Sequence, residues 1–226
     1  MSTRASVTAS TQVLVEWHSS NVTARYTVLR VADACVPLFE EHVQRLGETS
    51  RAPLRHFASQ APGGVYRVTW DATQLETTPR SDSRLKDGSP ARFVVSPFAD
   101  RRGRFAKPAP PSPYDSVRVE GLSSLLTDPL GVEIYEACVA GIVAWDGATL
   151  VLPPEEVPAV ASTAEARIAA VLAPRRARIL VASDWPILLI NAVVGTCEVK
   201  IPGRGSFPAT VRARLEVLLQ APFHSR

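Results

Sequence analysis

Lys107 is one of only three lysines among the 25 lysines and arginines of this 226-residue chain. Arginine serves wherever a permanent cation suffices. An amine that attacks a carbonyl carbon must be able to lose its proton, with its pKa brought down from about 10.4 by burial or by neighbouring cations. Lys107 lies in Arg-Phe-Ala-Lys-Pro-Ala-Pro-Pro-Ser-Pro-Tyr-Asp-Ser-Val-Arg, residues 104 to 118, with Tyr114 seven positions on and Asp115 and Arg118 after it. It is the candidate nucleophile, and the competing reading is a solvated cation in a turn. Three further places hold polar groups of chemical interest. Arg45, in His42-Val43-Gln44-Arg45-Leu46, is a forked, permanently charged group suited to an anion, while His42 reads as structural. Glu136 stands in the apolar run Ile134 to Gly141, where a buried carboxylate needs a cation beside it, and Glu133 is the rival acid. The run Val157 to Thr163 enters a helix N-terminus, whose amides and dipole suit a phosphate. Asn191 and the turn Val193-Val194-Gly195-Thr196 follow an apolar strand.

The elements that must position these residues follow from periodicity. Val13 to Trp17 and Ala24 to Val31 have the β-branched and aromatic bias of two strands turned at Ser19-Ser20-Asn21. Asp33 offers an N-cap to a helix over Val36 to Leu46, ending near Gly47, and a second helix is expected over Pro53 to Gln60. Val65 to Trp70 and Gln74 to Thr78 read as a hairpin, and Ala91 to Val95 as a further strand. Between Ser96 and Pro113 the apolar pattern lapses into Pro, Gly and Arg, which marks a crossing between subdomains. A helix is expected over Tyr114 to Leu126, then strands over Gly131 to Tyr135, Ala140 to Trp145 and Thr149 to Leu152, with Asp146-Gly147 as a hairpin turn. A helix over Ser162 to Leu172 is capped by Ser162 or Thr163, with Glu165 in its first turn. Strands over Ile179 to Ala182, Ile187 to Ala192 and Gly195 to Ile201 precede a closing strand or helix over Val211 to Leu219. The chain therefore divides into an N-terminal α+β subdomain over 1–98, a linker and loop over 99–113, and a C-terminal α/β subdomain over 114–226.

Composition narrows the class. With 46% hydrophobic and 21% charged residues the chain can build a sizeable core, and global disorder is unexpected. A net charge of +3 demands neither a nucleic-acid nor a membrane partner and leaves small anionic ligands open. Cys35, Cys138 and Cys197 are far apart, odd in number and without Cys-x-x-Cys pairing, which suits a reducing compartment; neither a secretory signal nor an apolar run of the roughly 18 residues that span a bilayer is seen. A cytoplasmic protein with no metal site is expected.

Taken together, the motifs resemble the class IV pyridoxal-phosphate enzymes, the family of branched-chain and D-amino acid aminotransferases and of aminodeoxychorismate lyase, from about Val13 to Ile201. The residues 42–46 are similar to the family's His-x-x-Arg-Leu. Lys107 with Tyr114, Asp115 and Arg118 resembles the lysine pattern of a short-chain branch, and Glu136 to Gly141 is similar to its Glu-Gly-Thr-x-x-Asn strand. The resemblance implies the class IV fold: a small N-terminal α/β subdomain plus a larger, barrel-like C-terminal α/β subdomain. It implies that Lys107 holds the cofactor as a Schiff base and moves the substrate's α-proton, that Tyr114 lies near the cofactor's phenolic oxygen, and that Glu136 faces the pyridine nitrogen. Arg45, Val160, Ala161, Asn191, Gly195 and Thr196 would bind the cofactor, chiefly its phosphate.

The chain departs from the pattern where Pro108-Ala109-Pro110-Pro111 replaces hydroxyl residues after the lysine, which demands a more extended loop. It departs again where Cys138 and Gly141 replace a hydroxyl residue and an asparagine, and where the turn before the helix lacks its glycine and arginine. The implied function is a pyridoxal-phosphate-dependent aminotransferase or aminodeoxychorismate lyase-like enzyme, acting on an amino acid, keto acid or amino-chorismate and assembled as a homodimer. A cofactor-free relative acting as a binding or assembly protein is the alternative. Arg101, Arg102 and Arg104 are candidates for a substrate carboxylate or, alternatively, parts of a solvated loop.

Overall fold

Thr27, Leu29 and Val31 are buried along Arg25–Val31 and alternate with more exposed neighbours, the two-residue period of a strand with one face against a core. The computed structural model describes residues 25–81, 85–108 and 112–220. This first strand, β1, pairs antiparallel with β2 (Gly64–Trp70), and β2 with β3 (Leu75–Arg80). Asp71 closes the second hairpin, its Oδ1 accepting from the amides of Thr73 (2.9 Å) and Gln74 (2.7 Å). Helices α1 (Phe39–Leu46) and α2 (Arg51–Gln60) cover this small sheet through Val43, Leu46 and Leu54, packed on Leu29 and Val68. Gly47 ends α1 at φ 106°, with its N–H on the Val43 carbonyl, a conformation that favours glycine.

The remaining strands are β4 (Ser89–Val95), β5 (Ser123–Thr127), β6 (Glu133–Ala137), β7 (Gly141–Trp145), β8 (Leu150–Leu152), β9 (Arg175–Arg176), β10 (Ile179–Leu180), β11 (Ile187–Asn191) and β12 (Gly195–Lys200). They form one sheet in the order β10-β6-β5-β4-β12-β11-β7-β8-β9. β6 and β7 are far apart in that order, yet Ala137 and Ala140 exchange backbone hydrogen bonds of 3.0 and 3.3 Å, so the sheet curls into a half-barrel. Alternating residues of β11 serve both faces: Ile187 and Leu189 join the inner core with Leu125 and Ile142, while Leu188 and Ile190 pack against α3 (Thr163–Leu172) and α4 (Ala209–Gln220).

Most elements fall where periodicity places them, and two differ. Tyr114 to Leu126 is not a helix. A capping box between Ser112 and Asp115 opens only a short 3-10 turn, Pro113–Val117, and Ser123–Thr127 then enters the sheet as a fully buried strand between β4 and β6. α1 starts at Phe39 rather than Val36, because Asp33, Ala34 and Leu38 all have positive φ and Ala32 and Cys35 close a tight turn. The closing element is helical, with Leu215 and Leu219 buried. β4, within the range 1–98, runs parallel to β5 and β12 in the large sheet. The strand expected at Val13 to Trp17 and most of the proline run, residues 109–111, lie outside the described residues. Among the described residues no helix is long and apolar enough to cross a membrane.

Candidate active site

A cavity of about 380 Å³ opens where the two sheets meet. Tyr26 and Val28 of β1 and Val65 and Arg67 of β2 reach it at two-residue spacing, and Val28 pairs with Arg67 and Val65 with Arg80 across the small sheet. From α1 comes Arg45; from the large sheet come Glu136 and Asn191; from the crossing segments come Lys107, Tyr114 and Val160.

Lys107 approaches the small sheet. Its Nζ sits 5.7 Å from the centre of the Tyr26 ring, and the Tyr26 hydroxyl donates to the next carbonyl, that of Pro108, at 2.7 Å. Burial brings the Lys107 amine down to about 8; the Arg45 guanidinium pushes the same way and the Glu136 carboxylate opposes it. This is the range in which an amine is both present as a base and able to carry a proton. Burial also depresses Arg45 to about 10, with Tyr26 opposing. Arg45 donates to the Ala161 carbonyl.

Glu136 is buried on β6. Its Oε1 accepts from the Tyr114 hydroxyl at 2.5 Å and its Oε2 from the Val160 amide at 3.0 Å. Burial raises Glu136 to about 7 despite these two donors, with the Glu165 carboxylate adding to the rise and Arg104 opposing it. The same burial and the facing carboxylate push the Tyr114 phenol up, so it stays a donor. Glu133 lies elsewhere, bound to Arg178 Nε at 2.8 Å.

The expected site residues separate into two groups. Lys107, Tyr114, Arg45, Glu136, Val160 and Asn191 line one cavity, and Ala161 touches it through Arg45. Gly195 and Thr196 sit in β12 and face α4: Thr196 Oγ1 donates to Glu216 at 2.7 Å and accepts from Arg212 at 3.2 Å, and a side chain on Gly195 would meet Gln220. The turn that borders the cavity is the preceding one, where the Asn191 side chain accepts from Val193 N–H and donates to the Val139 carbonyl, both at 2.7 Å. His42 is fully buried with Nδ1 2.8 Å from Thr27 Oγ1. Arg101 stacks on Phe98 and Phe105, Arg104 is buried in an ion pair, and neither lines the cavity.

Tyr26, Arg67 and Arg80 were not apparent as site residues. The signal was present: an aromatic and a cation on the strand face opposite the buried Leu29 and Val68 of a small sheet. The Nε of Arg67 and that of Arg118, which forms an ion pair with Asp115 at 3.1 Å, are both buried without a hydrogen-bond partner. Unpartnered buried donors around a cavity suit an anionic ligand.

No family model matches the chain, and no curated protein does. Solved structures do match. A hypothetical aminotransferase from Mycobacterium tuberculosis in its apo form superimposes with a TM-score of 0.63 at 19% identity, covering 88% of each chain; its PLP-bound form gives 0.62. The 4-amino-4-deoxychorismate lyase of Pseudomonas aeruginosa gives 0.63 at 17% identity, covering 87% of this chain and 90% of that one. The chain therefore has the fold of the class IV aminotransferases and aminodeoxychorismate lyases.

Proposed function

We propose that the protein is a pyridoxal-phosphate-dependent enzyme of the aminotransferase and aminodeoxychorismate lyase kind, acting on an amino acid or amino-chorismate substrate. The observation that carries this reading is the joint placement of Lys107, Arg45 and the Tyr114-bound Glu136 around one cavity in a fold shared with such enzymes. The residues present fit the cofactor. Arg45, Arg67 and Arg80 give the cavity the positive charge a phosphate requires, and the buried Nε of Arg67 lacks a partner. Each Glu136 oxygen accepts one hydrogen bond, and a carboxylate has capacity for about four, so it can also accept from a protonated ring nitrogen. When bound, the cofactor supplies an electron sink for the carbon next to the substrate's amino group.

The chain's own residues do the rest. Lys107 would hold the cofactor through its amine; released from it, that amine, with a pKa near 8, could take a proton from the substrate's α-carbon and return one. Glu136, kept in place by Tyr114 and the Val160 amide, would hold a proton at the cofactor's ring nitrogen. The Asn191 turn and Val160 bound the cavity as phosphate-side groups, and the Ala161 carbonyl holds Arg45; Gly195 and Thr196 pair with Asn191 and Ile190 at the base of that turn. The three cysteines are free thiols, which fits a cytoplasmic location. A homodimer would bury exposed apolar side chains such as Phe93, Val95, Leu130 and Val132.

An absorption spectrum of the purified protein with added pyridoxal phosphate, before and after borohydride, followed by peptide mapping, tests the reading. A reduced adduct on Lys107 supports it; a protein that takes up no cofactor overturns it. Amine transfer to a keto acid against release of pyruvate from aminodeoxychorismate then separates transaminase from lyase.

A further inference from the structure

Arg104 lies three residues before Lys107 and points away from the cavity, into the large unit. It pairs with Glu165 of α3 at 3.0 Å, both side chains being nearly buried, and reaches Glu155 at 3.7 Å and the carbonyls of Pro153 and Pro154 at 3.4 Å. The main chain on either side is stitched to the same segment. Gly103 N–H donates to Glu156 (2.8 Å), Phe105 N–H to Ala159 (3.1 Å), and Ala161 N–H to the Phe105 carbonyl (3.0 Å). That segment presents two groups to the site: the Val160 amide on Glu136 and the Ala161 carbonyl on Arg45.

We infer that Arg104 is a positioning residue for the pocket: its ion pair with Glu165 locks residues 155–162 so that Val160 and Ala161 hold Glu136 and Arg45 in place while Lys107 leaves on the same short loop. The inference rests on the proposed cofactor only for its first readout. Its physical basis is that a buried ion pair broken on one side leaves an uncompensated charge, which the segment must move to relieve. Gly141 supports it independently. A Cβ there would come within 2.7 Å of Glu165 Oε1 and 3.0 Å of Ser162 Oγ, so glycine at this position leaves the space Glu165 fills.

The test is a titration of cofactor-free protein with pyridoxal phosphate, followed by absorbance. Arg104→Met should weaken binding about tenfold, the scale of one lost charge-assisted hydrogen bond in the site, and Arg104→Lys should recover part of that. In a Glu136→Gln background the same Arg104→Met change should cost less than in the wild type, because part of the effect passes through Glu136 and the rest through Arg45. Wild-type affinity in Arg104→Met, or an undiminished loss in the Glu136→Gln background, overturns the inference. If Arg104→Met does not fold, Glu165→Gln, of equal volume, takes its place; a several-fold loss supports the inference and unchanged affinity overturns it. Should the wild type take up no pyridoxal phosphate, the functional proposal fails by itself. Amide exchange over 156–162 then decides: either variant must accelerate it, and unchanged exchange sinks the positioning role.

Discussion

The two sheets bring opposite charge to the cavity between them. The three-stranded sheet with α1 contributes Arg45, Arg67 and Arg80 beside Tyr26; the nine-stranded sheet contributes Glu136, with Glu165 behind it. Their electrostatics differ as well. Glu136 on β6 and Glu165 on α3 are buried and pushed up to about 7, whereas the small sheet's arginines line an open cleft. Lys107 belongs to neither sheet and responds to both, lowered by Arg45 and raised by Glu136. Neither half alone brings the amine, the carboxyl and the guanidinium groups to the cavity.

The contrast can be broken at its centre first. Lys107→Ala should abolish turnover and remove the borohydride-trapped adduct, and an adduct that persists in this variant would place the chemistry elsewhere. On the large-sheet side, Glu136→Gln should lower turnover on the order of 100-fold while the adduct still forms, as single-turnover kinetics would show. On the small-sheet side, Arg45→Met should weaken pyridoxal phosphate about tenfold and leave binding of pyridoxal, which lacks the phosphate, almost unchanged.

The smallest effect is on stability, and its sign differs between the halves. His42, buried in the small unit, is lowered from 6.5 to about 3, so the unfolded chain takes up a proton there that the folded one refuses. That contribution is present above about 6.5 and is lost as pH falls toward 3. Glu136 and Glu165 are raised from 4.5 to about 7, so their contribution is present below 4.5 and is lost as pH rises through 7. His42→Gln should therefore lessen the fall in melting temperature between pH 7.5 and 5, and Glu165→Gln should steepen it, by a few degrees each. Identical slopes in both variants would erase the distinction.

Local pattern made much of the fold legible. The 3.6-residue period of α1 and the cap of α3 at Ser162 are recoverable from neighbouring residues alone, because such elements are stabilised by contacts a few positions apart. Ser123–Thr127 was not, since Ser-Ser-Leu-Leu-Thr continues an apparent helix and becomes a strand only because β4 and β6 flank it. The site divides in the same way. Lys107, Tyr114, Glu136 and Arg45 could be singled out by type and spacing, whereas Arg67 and Arg80 carry only the weaker signal of their strand face, since a strand arginine on an open face reads as solvated.

By itself the sequence determined which side chains are able to do chemistry: a rare lysine, a carboxylate in an apolar strand and a guanidinium on an amphipathic helix, each identity being independent of its neighbours in space. Only the tertiary structure decided that these share one cavity, that Thr196 turns toward α4 while the Asn191 turn borders the site, and that Arg104 pairs with Glu165 rather than meeting solvent. Those facts depend on long-range strand order and on desolvation, and both arise only when the curled sheet closes against the small one.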